Sequence, residues 1–105
     1  MGNPIAARLG SISSLGDREL LSLMKRIAAT ERVLSVYAIA HLGEIQRRKL
    51  YEGEGFPTMF AYCVGELRYS EANAYRRIQA ADAARKFPDV LTMIKDGNLT
   101  VCALA

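Results

Sequence analysis

The amino-acid sequence predicts an all-α fold: a long N-terminal helix, then a helix-turn-helix-like unit and short C-terminal helices. Apolar residues recur every three or four positions from Leu20 to Ile45, which is the spacing of an amphipathic helix. No proline interrupts the chain between Pro4 and Pro57, and no stretch shows the strict alternation typical of a strand. Half of the 105 residues are hydrophobic and 24% are charged, a composition that excludes an intrinsically disordered chain.

The first helix is predicted from Asp17 to about Leu50. Gly16 can act as its N-cap, and the acidic side chains of Asp17 and Glu19 suit the positive end of the helix dipole. Four downstream residues then mark further boundaries. Thr58 and Ser70 are predicted N-caps, Gly97 is a predicted left-handed helix end, and Thr100 is predicted to cap a last helix beginning at Val101.

Residues 1–15 hold Gly, Pro and Ser without periodicity and are predicted to form a flexible arm. Residues 16–105 are predicted to form a single helical domain that is truncated at its C-terminus, because the chain stops as a helix begins. Cys63 and Cys102 have apolar neighbours and are predicted to be buried, reduced thiols. The longest uncharged run, Val33–Gly43, is too short to span a bilayer, so we predict a cytoplasmic protein with no membrane partner.

The middle of the long helix is apolar around nearly its whole circumference, so it should be covered on two sides. We expect the downstream helices to cover a stripe of Leu20, Ile27, Leu34 and Ile45. A second copy of the chain could cover the rest and form a two-fold dimer; the missing C-terminal continuation of the protein is the rival occupant. The predicted dimerisation residues are Val33, Val36, Tyr37, Ile39 and Ala40.

No residue pattern predicts catalysis, a metal site or a cofactor. His41 is the only histidine, and a lone helical histidine is more often a packing residue than a ligand or a base. The chain has no cluster of metal-ligand residues, no glycine-rich phosphate loop and no activated nucleophile. We therefore expect no enzyme activity within these residues.

Basic residues are concentrated in the helix that Ser70 is predicted to cap. Residues 67–87 contain five basic and two acidic side chains, and this excess equals the net charge of +3 of the whole chain. A helix-turn-helix needs a supporting helix, a tight turn and a second helix whose first turns reach base edges in DNA. Arg pairs with guanine and Asn with adenine, so Asn73, Arg76 and Arg77 are predicted base readers, and Arg68 and Arg85 predicted phosphate contacts.

An ordinary helical hairpin with a solvated basic face explains the same residues equally well. Two residues depart from the usual helix-turn-helix pattern. Arg68 stands where the turn of a helix-turn-helix commonly has glycine, and Arg77 stands where its second helix often has a buried aliphatic residue. The cluster Arg47–Lys49 at the end of the long helix is explained by the helix dipole, with a phosphate contact as the less favoured explanation. A membrane-surface helix is disfavoured because basic and apolar residues do not separate onto opposite faces.

Four motifs together resemble the helical N-terminal region of a bacterial family of HNH-endonuclease-like proteins. They are Glu31-Arg32, GFPTMFAYCV, SEANAYRRIQAA and FPDVLTMIKDGNLT, and the resemblance covers Leu20 to Ala105. The second half also looks like the helix-turn-helix of ParB-type DNA-binding proteins. The family's His-Asn-His nuclease motif has no match in this chain, so no catalytic residue is implied here.

The resemblance implies an accessory region whose role is DNA engagement or assembly. The leading hypothesis is a module that contacts duplex DNA. The alternative is a helical oligomerisation or protein-interaction module with no nucleic-acid contact.

Overall fold

A computed structural model describes residues 9–97 of the chain. These residues form helices and turns with no strand among them, which confirms the predicted all-α fold and its long N-terminal helix. A 3₁₀ turn at Ile12–Ser14 comes first. The α-helices that follow are α1 (Asp17–Arg48), α2 (Leu50–Gly53), α3 (Met59–Gly65), α4 (Glu71–Lys86) and α5 (Asp89–Lys95).

The chain divides into two compact units, Met1–Glu31 and Arg32–Ala105, with the division inside α1. The predicted flexible arm of residues 1–15 and single domain of residues 16–105 stay predictions. In the first unit the Leu20 N–H donates to the Gly16 carbonyl over 2.9 Å, which makes Gly16 the residue before the helix, as predicted. No residue described in this unit is buried.

Helix α1 ends at Arg48, slightly before the predicted end near Leu50. Lys49 has a φ of 54°, in the left-handed region, so the next residue cannot continue the α-helical path. The single helical turn of α2 follows, and Gly55 has a φ of 91° in the loop that leads to α3. In this loop the Phe56 ring meets the Tyr62 ring edge-on, with their centroids 5.7 Å apart.

The core of the second unit is built around the alanine face of α4: Ala74, Ala80, Ala81 and Ala84. Alanine has no side chain beyond Cβ, so the neighbouring helices can approach the α4 backbone closely. Gly43 of α1 lies against this face, since a Cβ built on it would be 3.8 Å from the Ala81 Cβ. The other helices contribute larger side chains to the core: Ile39, Leu42, Met59, Cys63, Val90 and Ile94.

The buried face of α1 differs from the predicted one. Ile39 is 0% exposed and lies in the core, so its assignment to a dimer surface was wrong; Val36 is half-buried and packs against the same core. Leu34, predicted to be covered, is instead 61% exposed. The reason is helical phase: Val36, Ile39, Leu42 and Gly43 share the side facing α4, whereas Val33, Tyr37 and Ala40 lie outside the core and are exposed.

Helix α5 closes the described part of the second unit. Gly97 follows it with a φ of 80°, which confirms the predicted left-handed helix end. The Arg32 Nε donates to the carbonyl of Lys95, in the last turn of α5, over 3.4 Å. Cys63 is buried as predicted, whereas Cys102, Thr100 and the helix predicted at Val101 lie outside the described residues.

Two glycine-to-alanine substitutions should have opposite effects on stability. A Cβ on Gly65 would lie 2.6 Å from the Phe56 Cε1, a clash that displaces a packed ring, so Gly65→Ala should lower the free energy of unfolding by about 1–3 kcal/mol. A Cβ on Gly43 meets only ordinary contact distances, so Gly43→Ala should raise it by about 0.5–1 kcal/mol through helix propensity. Urea unfolding measures both, and the reverse order would contradict the described packing.

Candidate nucleic-acid interface

Two capped helices, α3 and α4, frame the candidate interface. The Thr58 Oγ1 accepts a hydrogen bond from the Ala61 N–H over 3.0 Å at the start of α3. The Ser70 Oγ accepts one from the Asn73 N–H over 3.1 Å at the start of α4. Both N-caps were predicted from the sequence, and both are confirmed. Each satisfies a backbone donor that has no partner within its helix, and so fixes where the helix begins.

The turn between α3 and α4 depends on Arg68, which has a φ of 62°. A left-handed conformation at a non-glycine residue costs about 1–2 kcal/mol, which explains why glycine is common in such turns. The Tyr69 N–H donates to the Cys63 carbonyl over 3.1 Å, and the Glu66 N–H to the Tyr62 carbonyl over 2.9 Å. These bonds hold the turn, and the Arg68 side chain is exposed on it.

Arg77 belongs to a packed group at the start of α4. Its guanidinium carbon lies 5.2 Å from the centroid of the Tyr69 ring, within cation–π range. Its Nε donates to the Asn73 Oδ1 over 3.1 Å, one turn earlier on the same helix. Arg77 and Asn73 are both half-buried, so two of the three predicted base readers are engaged with each other. Tyr69 is the member of this group that was not among the predicted site residues.

The Cys63 thiol lies beneath this group and is fully buried. Burial raises the pKa of Cys63 above its usual value because the thiolate would lose its hydration, and the positive charge of Arg77 opposes part of this rise. The thiol therefore stays protonated at neutral pH, and Cys63 acts as an apolar packing residue.

Arg76 differs from its neighbour because its side chain is exposed and forms no ion pair with the described residues. It lies one turn before the buried Ala80, so helical geometry places it at the edge of the alanine face of α4. Arg85, a predicted phosphate contact, forms an ion pair with Asp82 one turn earlier. Such exposed pairs contribute about 0–1 kcal/mol, so a phosphate could compete for Arg85 at low cost.

One carboxylate pairs with two of the three basic residues at the end of α1. Glu44 accepts hydrogen bonds from Arg47 and Arg48 at 2.6–2.9 Å. These hydrogen bonds, with that of Arg47 the stronger, lower the pKa of Glu44 from 4.5 to about 2. The carboxylate is therefore ionised throughout the physiological range. Because Glu44 occupies both guanidinium groups, this cluster is a weaker candidate for phosphate binding than the turn and α4.

Other kinds of site find no support in the described part of the chain. Residues 9–97 contain no group of three or more His, Cys, Asp or Glu side chains placed to hold a metal ion. Over the same range, no helix combines the length and apolar character needed to cross a membrane.

Comparison with protein-family models, with curated proteins and with solved structures finds no match to this chain, and hence no enzyme family.

The conformation of Arg68 predicts how stability responds to substitution in the turn. Arg68→Gly should leave the free energy of unfolding unchanged or raise it by up to about 1 kcal/mol, because relief of the left-handed strain exceeds the entropy cost of glycine. Arg68→Val should lower it by about 1 kcal/mol or more, since a β-branched residue disfavours this region most. Urea unfolding of the wild-type chain and both variants measures these differences in the free energy of unfolding.

Lys49 provides the matched control, because it is also an exposed basic residue with a positive φ. Lys49→Gly and Lys49→Val should show the same order of stability. An Arg68→Val variant at least as stable as Arg68→Gly would contradict the described turn.

Proposed function

We propose that this chain is a cytoplasmic DNA-binding accessory module without catalytic residues of its own. The observation that supports this most strongly is the geometry of α3, the turn and α4. A supporting helix is joined by a short turn to a capped second helix, and that second helix carries an exposed arginine, Arg76, that forms no ion pair among the described residues. A supporting helix, a short turn and a second helix are also the parts with which helix-turn-helix proteins present a helix to the major groove.

The side chains divide into contacts and positioning groups. We assign the DNA contacts to Arg76 on α4 and Arg68 on the turn, because both are exposed and neither forms an ion pair among the described residues. Arg85 is a further phosphate contact once it exchanges Asp82 for phosphate. Asn73 and Arg77 act as a unit that Tyr69 supports, so they shape the start of α4 and present their remaining polar groups together.

The resemblance to HNH-endonuclease-like proteins agrees with an accessory role. A His-Asn-His motif needs two histidines, and this chain contains one, His41. The His41 Nδ1 lies 2.6 Å from the Tyr37 carbonyl on its own helix, an arrangement that packing alone explains. Membership of the family stays a prediction from the motifs, and we propose that any nuclease chemistry belongs to another part of the protein.

An oligomerisation module without nucleic-acid contact is the second candidate. It is favoured by the exposed apolar side chains on α1, where Val33, Leu34 and Tyr37 all lie outside the core and Tyr37 is 60% exposed. The two functions differ in their dependence on salt. DNA binding through arginines weakens as salt rises, whereas association through apolar side chains does not.

Substitution of Arg76 tests the DNA-binding proposal. Arg76→Ala should weaken binding to duplex DNA and reduce the slope of log K against log salt by about 1, because the loss of one positive charge from the interface releases fewer counterions. Fluorescence anisotropy at several salt concentrations measures both quantities. Since Arg76 is exposed, circular dichroism should show an unchanged helix content.

Arg18→Ala is the matched control, as it removes the same charge from an exposed position on α1. It should leave the slope unchanged. A wild-type chain without salt-sensitive binding at low ionic strength would contradict the proposal, and so would an equal effect of the two variants.

A further inference from the structure

The first half of α1 has three apolar residues and one threonine at the spacing of a coiled coil. Leu20, Leu23, Ile27 and Thr30 are separated by three, four and three residues, the alternation of a and d positions in a heptad repeat. We call these four residues the seam. The same spacing continues in the sequence through Leu34, Tyr37 and His41. The seam is independent of the DNA-contacting residues, which lie on α4 and the turn before it.

Three of the four seam residues are exposed in the part of their unit that the structure describes. Ile27 is 51% exposed, Leu20 and Thr30 are exposed, and Leu23 is half-buried. The neighbouring Met24 is exposed as well. A run of apolar side chains left open on a helix marks an interaction surface.

The charges beside the seam indicate what covers it. Arg26 occupies a g position and Glu31 the following e position, on opposite edges of the seam. Five residues of α-helix separate them by about 140° around the axis, so they cannot pair within one helix. Neither has an ionisable residue three or four positions away. Elsewhere this chain pairs charges at those spacings, as between Glu44 and Arg48.

A g residue and the e residue five positions later face each other across the seam of a parallel coiled coil. We propose that the seam binds a second copy of this chain, and that the two α1 helices pair in parallel and in register. Arg26 then lies beside the partner's Glu31, and two-fold symmetry forms this ion pair twice. In an antiparallel pair the g rows meet each other and the e rows meet each other, so both ion pairs would be lost.

The interface differs from the dimer surface predicted at Val33, Val36, Tyr37, Ile39 and Ala40. The seam excludes Ile39, which is buried in the core, and Val36, which packs against the core. It uses no residue of α4, and a dimer would contain two copies of the basic helix. Self-association through the seam requires no DNA, so its test is separate from the test of DNA binding.

Sedimentation equilibrium of the 105-residue chain without DNA tests the seam itself. The wild-type chain should be a dimer at micromolar concentration. Ile27→Lys should convert it to a monomer, whereas Leu21→Lys should remain a dimer. Leu21 is the matched control because, like Ile27, it is an exposed aliphatic residue on α1. It lies one residue past Leu20 and is not part of the seam. A monomeric wild-type chain, or equal effects of the two substitutions, would overturn the proposal.

Charge reversal tests the orientation. Arg26→Glu and Glu31→Arg should each weaken the homodimer by roughly tenfold, because each places like charges together twice. An equimolar mixture of the two variants should recover wild-type affinity, since the heterodimer forms both ion pairs again: one as in the wild type and one with its charges exchanged. Circular dichroism should show the same helix content in every variant. Weakening without recovery in the mixture would overturn the parallel arrangement.

Discussion

The close approach of helices to the alanine face of α4 is the constraint on which the second unit depends. Ala74, Ala80, Ala81 and Ala84 are all buried, and Gly43 of α1 lies at van der Waals distance from Ala81. An alanine buries little apolar area, so these contacts stabilise through fit more than through the size of each side chain. The larger side chains that pack against these small residues, such as Ile39 and Met59, supply the buried apolar area.

Burial of one side of α4 determines what its other side offers. Ser70 caps the helix by accepting a hydrogen bond from the Asn73 N–H, and Arg76 is exposed at the edge of the alanine face. Arg77 is on the partly buried side, and its charge is accommodated by the Tyr69 ring and the Asn73 oxygen. The adjacent arginines therefore have different roles in our proposal: one contacts DNA, and the other fixes the geometry of the turn.

Features set by adjacent residues could be predicted from the sequence. The caps at Thr58 and Ser70 and the left-handed Gly97 follow from local hydrogen bonding and backbone preference. The buried face of α1 could not, because residues 33–45 are apolar around most of the helix and hydrophobicity alone does not select a phase. Packing of Ile39 and Leu42 with the α4 alanines in one core selects the phase, and these contacts join residues far apart in the chain.

Side-chain partners at the candidate site were predicted less completely. Basic residue types and a capped helix were visible in the sequence, but the stacking of Arg77 on Tyr69 depends on how the turn folds back. The left-handed conformation of Arg68 could not be predicted either. The sequence shows only that Arg68 replaces the glycine that is common in the turn of a helix-turn-helix. Neighbours that meet across a turn depend on backbone dihedral angles, which residue types only bias.

A comparison of Ala81→Leu with Ala72→Leu tests the central role of the α4 alanine face most directly. Both variants place the same side chain on the same helix, but Ala81 is 1% exposed whereas Ala72 lies on the exposed side. Urea unfolding should show a loss of about 1–3 kcal/mol for Ala81→Leu, because the larger side chain separates α4 from Gly43. Ala72→Leu should change the free energy of unfolding by less than about 0.5 kcal/mol. Equal stability of the two variants would contradict the account.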